Sequence, residues 1–146
     1  MRRALKYGVL VTIIIATWVA LKHVVLHIDP ARAAILDTII FNVAGIVGLS
    51  LGIRDKRVAN GGSLTFGAAL KTGFSIALTY AVLTAIYFAI LLLLIGPKLM
   101  QQAGEAGPGG EVTPLILAQA FAAVLIGLTL TGTILSVIIS LILRKR

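Results

Sequence analysis

The chain contains no cysteine, which excludes a disulfide framework, a thiolate-held zinc or iron–sulfur centre, and a thiol nucleophile. Acids are almost as scarce: Asp29, Asp37, Asp55, Glu105 and Glu111 are the whole supply. No buried acid pair, no serine nucleophile with a neighbouring base and no phosphate loop can be assembled from what remains, so the expectation is a protein that is not an enzyme. Charged residues together make up 12% of the chain, against about 25% in soluble domains.

What fills the sequence is apolar: 59% of its 146 residues are hydrophobic. A water-soluble globule of this size has no way to cover that much apolar surface. Each membrane crossing takes about 20 mostly apolar residues, and four crossings with short connections use up the chain. The reading is an all-α integral membrane four-helix bundle, a single transmembrane domain over 1–146, with spans near 7–26, 31–53, 73–95 and 114–143 paired as two hairpins.

The formal charge of +8 invites a nucleic-acid partner, but the placement of the charges argues for topology instead. Ten of the thirteen lysines and arginines fall in three clusters: Arg2, Arg3 and Lys6; Arg54, Lys56, Arg57 and Lys71; and Arg144, Lys145 and Arg146. Every acid except Asp55 is assigned to the other two connections. The positive-inside rule then puts both termini and the central connection in the cytoplasm, and no nucleic acid is expected. The first apolar run has the look of a signal peptide, yet Trp18-Val19-Ala20 lacks the small residue expected two places before the final alanine, so it reads as a retained first helix.

Along the chain, Lys22 stands where its alkyl stem can snorkel to headgroups, and Asp29-Pro30 marks a turn. His23 and His27, four residues apart, share a helical face and form a weak ligand pair. Two histidines are an incomplete site, and interfacial histidines also bond water or headgroups, so no metal or other cofactor is assigned. In the second span Gly48 and Gly52 form a G-x-x-x-G that either lets another backbone approach closely or is a chance match. Asn60-Gly61-Gly62 signals a turn, with Ser63 as a candidate N-cap. Phe66, Leu70 and Phe74 then recur every fourth residue, which reads as a short amphipathic interfacial helix or as the first turns of the third span.

The third span carries the stronger packing signal, with Gly73, Ala77, Ala81, Ala85 and Ala89 at unbroken four-residue spacing. Tyr80 and Tyr87 in the same span each need an acceptor, and Gly96-Pro97 is expected to end it. A glycine-rich connection over 98–113 reads as flexible, and Pro114 suits the first turn of a long fourth helix.

The segment from Leu51 to Phe74 resembles a known family. Arg54, Asp55, Lys56 and Arg57 close an apolar helix; Gly61 and Gly62 follow; and Thr65, Phe66, Gly67, Ala69, Lys71 and Gly73 lead into the next. This pattern is similar to a family of small bacterial four-helix membrane proteins described as a domain of unknown function, number 4199. The resemblance implies that topology and residence in the bacterial inner membrane, and it implies no activity.

Functional expectations follow from these features. Arg54, Lys56, Arg57 and Lys71 mark topology and face anionic headgroups, each basic residue near a charged leaflet contributing about 1 kcal/mol. The small-residue faces pack against other membrane subunits or copies of the same chain. The first reading is thus a non-enzymatic accessory or assembly subunit of a larger membrane complex, a respiratory or photosynthetic one among the candidates. The alternative is a small transporter or channel built from identical copies, with Asn42, Gln119 and Tyr80 lining its path.

Overall fold

The computed structural model of the chain describes residues 2–26, 30–103 and 112–143. These form α1 (Arg2–Leu21), a π turn (Lys22–Leu26), α2 (Pro30–Ala59), α3 (Phe66–Ala103) and α4 (Pro114–Leu143). Each of the four α-helices is long and apolar enough to cross a membrane, so the fold is the expected all-α membrane bundle.

The helices are longer than their apolar spans. α1 begins at Arg2 rather than Tyr7, and α2 continues through the Arg-Asp-Lys-Arg block to Ala59 rather than stopping at Ile53. Hydrophobicity marks where the hydrocarbon ends, whereas arginine and lysine are good helix formers and carry the backbone pattern onward into the headgroups. Phe66 to Gly73 are likewise the first turns of one unbroken helix, and no separate interfacial helix precedes the third span. Nothing in that stretch breaks the hydrogen-bond ladder. The positive-φ glycines lie upstream, at Gly61 and Gly62, where the chain leaves α2.

There the Gly62 amide donates to the Arg57 carbonyl and the Gly61 amide to that of Val58, the paired bonds that close a helix on a left-handed residue. The N-cap of α3 is Thr65 rather than Ser63, its Oγ1 accepting from the Ala68 amide at 3.4 Å. At the other end α3 runs through Gly96-Pro97 to Ala103, past its expected stop. A proline inside a membrane helix forgoes one backbone bond, which such helices tolerate.

Alternate helices run in opposite directions, so α1 and α3 are parallel and α2 and α4 oppose them. α3 packs on all three neighbours, and α1 and α4 occupy the far corners. The α1 side of the core is a four-residue stripe, Tyr7, Val11, Ile15 and Val19, facing Ala44, Leu49 and Ile53 of α2 and Ile76, Ala77 and Tyr80 of α3 within one cluster. Leu5, Ile13, Ile35, Leu94, Ile126 and Ile142 face outward. In water those side chains would be a liability, but lipid tails are as apolar as leucine, so close backbone approach must hold the helices together.

Glycines supply that approach. A Cβ at Gly48 would collide with Val11, one at Gly52 with Ile76, and one at Gly8 would lie 2.6 Å from Thr79 Cγ2. On the α3–α4 seam, Gly73 faces Ser136 and Gly132 faces Tyr80 and Ala77.

Candidate functional site

The basic end of the bundle is built by three helices. α1 brings Arg2, Arg3 and Ala4; α2 brings Lys56; the first turns of α3 bring Ala68, Lys71, Thr72 and Ser75. Together they line a groove of about 710 Å³. These residues meet because α1 and α3 both begin here while α2 ends here; the positive dipole poles of the two starts are partly offset by the negative pole at the end of α2, so the side chains carry most of the groove's charge.

The charges are unevenly matched. Arg3 Nε donates to Asp55 Oδ2 at 3.0 Å, a half-exposed pair of small energetic weight. Arg2, Lys56 and Lys71 have no carboxylate partner among the described residues. The Thr72 hydroxyl donates to the Ala68 carbonyl and that of Ser75 to the Lys71 carbonyl, each at 2.8 Å. The groove's free donors are therefore its cations.

The four cations expected at headgroup level have separate fates. Lys56 and Lys71 line the groove. Arg54 is exposed. Arg57 turns elsewhere, donating to the Gly62 carbonyl at 2.7 Å and the Leu143 carbonyl at 3.2 Å, so it ties the central connection to the last carbonyls of α4. Arg2 and Arg3 complete the groove, and only the folded register of α1 against α3 brings them to it.

At the opposite end the structure places a group that the sequence reading missed. Asp37 lies within α2, not in a connection, and Lys22 does not snorkel away from the protein. Lys22 Nζ donates to Asp37 Oδ2 and Trp18 Nε1 to Asp37 Oδ1, both at 2.6 Å. The Lys22 side chain is only 14% exposed and that of Asp37 25%. A signal was present: Lys22 and Asp37 stand 15 residues apart, with the Asp29-Pro30 turn signal of the sequence at their midpoint. Closing that hairpin lays one on the other. Lys22 also opens the π turn, a kind of insertion often found at functional sites.

His23 falls in that π turn, while its side chain and all of His27 lie outside the described residues, as do Asp29, Glu105, Glu111 and the Arg144-Lys145-Arg146 cluster. Among the described residues, no three or more histidines or acids gather into a metal-binding group. Of the small-residue stripe, Gly73, Ala77, Ala81 and Ala85 are buried and Ala89 is half-buried. Gly48 and Gly52 are both buried.

The residues considered for a polar path do not converge. Asn42 Nδ2 donates to Thr38 O of its own helix, Tyr80 OH to Leu128 O across the α3–α4 seam, and Gln119 is exposed. Tyr87 OH reaches the Ala16 carbonyl on α1. Thr84, Thr129 and Ser140 carry buried hydroxyls without a partner. Rotation onto the carbonyl one turn back, as Thr133 and Ser136 do, would satisfy them.

Fold and ends together define an integral membrane four-helix protein with a basic groove at one end and an ion-paired clasp at the other. The family model described as a protein of unknown function (DUF4199) matches residues 6–107, more than half of the chain, and the chain belongs to that family. The match takes in α2, most of α1 and all of α3, and stops short of α4. Comparison with curated proteins and with solved structures finds no match.

Proposed function

We propose that this protein is a non-enzymatic accessory subunit that packs within a larger assembly of membrane helices, and that α4 is its contact face. The observation carrying this reading is the outward side of α4. Only 17% of its most apolar window is buried within the chain, the lowest share of the four spans. Gln119, Ala123, Gly127 and Thr131 recur there every fourth residue, all exposed, with nothing within 4 Å of a Cβ built at Gly127. Facing acyl chains, an amide and a glycine contribute nothing. Facing another helix, the glycine permits close approach and the amide finds a hydrogen-bond partner.

The same reading sets the protein in a bacterial inner membrane with both termini cytoplasmic. It is supported by the gathering of Arg2, Arg3, Arg54, Lys56, Arg57 and Lys71 at one end of the bundle.

Extraction in a mild detergent, followed by size analysis and identification of co-purifying chains, tests the proposal. Other membrane subunits are expected to accompany the wild-type chain and to be lost from Gly127→Leu, while helicity stays unchanged. A protein that runs as a lone monomer, or partners retained fully by Gly127→Leu, would sink the idea. Recovery of identical copies alone, with ion or solute flux in liposomes, would move the reading to the transporter or channel.

A further inference from the structure

We propose that the groove between α1, α2 and α3 at the basic end is a binding site for a phosphate group, and that Arg2, Lys56 and Lys71 are its ligand-facing cations. This goes beyond the packing role and rests on different residues.

A topology signal requires only that cations lie on one side of the membrane. It does not require them to converge. Arg54 shows one outcome: exposed like Arg2 and Lys71, it stands apart from the groove that they line. Arg57 shows another, capture by backbone carbonyls. In contrast, Arg2, Lys56 and Lys71 come from three separate helices onto one concavity with Arg3, and the chain supplies one described carboxylate nearby, Asp55, which Arg3 occupies.

Space and position fit the same ligand. Alanines at positions 4 and 68 leave the wall low, and the volume of about 710 Å³ falls within the roughly 300–1,000 Å³ of small-molecule sites. The apolar core begins one turn beyond Arg3, at Tyr7, so the groove stands at headgroup depth. Since the Thr72 and Ser75 hydroxyl protons are held by their own helix, selection falls to charge, and a zwitterionic headgroup, whose own ammonium would meet the lysines, is disfavoured.

A phosphate at that depth comes from an anionic phospholipid or from a soluble phosphate compound, and one set of measurements separates them. The full chain in detergent is titrated with phosphatidylglycerol, with phosphatidylcholine and with inorganic phosphate, and bound adducts and melting temperature are read by native mass spectrometry and circular dichroism. Preferential retention of phosphatidylglycerol identifies a lipid site; stabilisation by inorganic phosphate that competes with phosphatidylglycerol identifies a soluble ligand.

In either case Lys56→Gln/Lys71→Gln should weaken binding about 25-fold, at roughly fivefold per lysine beside an anionic group. The control Lys6→Gln/Arg32→Gln removes the same net charge outside the groove and should bind as wild type. Lys56→Arg/Lys71→Arg should restore binding, which separates lost ligation from lost folding. Equal retention of phosphatidylglycerol and phosphatidylcholine with no effect of phosphate, or equal weakening in the groove and control pairs, would overturn the assignment.

Discussion

Substituting alanine for Gly132 tests whether the α3–α4 seam is held by close backbone approach. A methyl group there would stand 2.6 Å from Ala77 Cβ, and nearer still to the Tyr80 hydroxyl. Ordinary carbon contacts sit at about 3.5–4.0 Å. Ala77 is fully buried and its Cβ is fixed to the backbone, so relief requires the helices themselves to separate. Overpacking of this kind costs about 1–3 kcal/mol, and it is opposed by a gain of about 1 kcal/mol from the better helix propensity of alanine.

Gly127→Ala is the matched control, on the same helix with nothing within 4 Å of the new methyl. It carries the same propensity gain without the clash, and alanine keeps that position small. The difference between the two variants therefore isolates the contact, and it should be about 1–3 kcal/mol. Adding Tyr80→Phe to Gly132→Ala removes the oxygen contact and leaves the Ala77 one, so it should recover only part of the loss. Alone, Tyr80→Phe should cost below about 1 kcal/mol, because its bond to the Leu128 carbonyl is long, at 3.4 Å. Reversible unfolding in mixed micelles, followed by far-ultraviolet circular dichroism, gives all four values. If Gly132→Ala and Gly127→Ala shift the midpoint alike, the seam is not glycine-limited and the packing argument fails.

Two further outcomes can be measured in the same assay. Lys22→Met strands the Asp37 carboxylate with only the Trp18 indole as partner, and should destabilise by about 1–3 kcal/mol, below the range for fully buried pairs because both groups keep some exposure; Lys22→Met/Asp37→Leu should be less damaging than Lys22→Met alone, and strict additivity would show that the two do not interact. Gly61→Ala places a side chain at φ 74° and should cost about 1–2 kcal/mol, while Gly67→Ala, with open space around it, should not destabilise; equal effects would mean that the cap of α2 does not depend on the left-handed turn.

Much of the bundle was legible because lipid leaves so few options. Four apolar runs must become helices to satisfy their own backbones, and the basic clusters announce which ends lie together. Helix ends were less legible, since Arg2 to Lys6 and Arg54 to Arg57 are polar by composition yet helical by propensity. Adjacent residues show why the site itself was hidden. Lys56 and Arg57 look interchangeable in the sequence, but one residue is a turn of about 100° on a helix, which sends Lys56 to the groove and Arg57 to the Leu143 carbonyl. The contribution of Arg2 and Arg3 depends on the pairing of α1 with α2 and α3, which no local pattern states. Asp37 was misplaced for a different reason: the span read as 31–53 already contained it, but its charge grouped it with the connections, whereas it lies two turns inside α2.

The two ends of the bundle handle charge in opposite ways, and the membrane supplies the reason. Asp37 lies inside a span long enough to cross the bilayer, two turns from its start, where an unpaired charge is still unfavourable, though less so than the cost of about 2.5–3.5 kcal/mol at the centre. Its pairing with Lys22 and Trp18 makes that depth tolerable and clasps α1 to α2 using groups from within the chain. At the basic end the surplus cannot be relieved in this way, since Asp55 is already taken by Arg3. Like charges on α1, α2 and α3 push the helix ends apart, while Gly8, Gly48 and Gly52 hold the same helices together deeper in the bundle. That opposition is eased by anions from outside the chain and by salt, which screens exposed charges over about 8–10 Å near physiological strength. The clasp is therefore closed by groups of the chain itself, whereas the phosphate site proposed above would make closure of the basic end follow the anionic content of its surroundings.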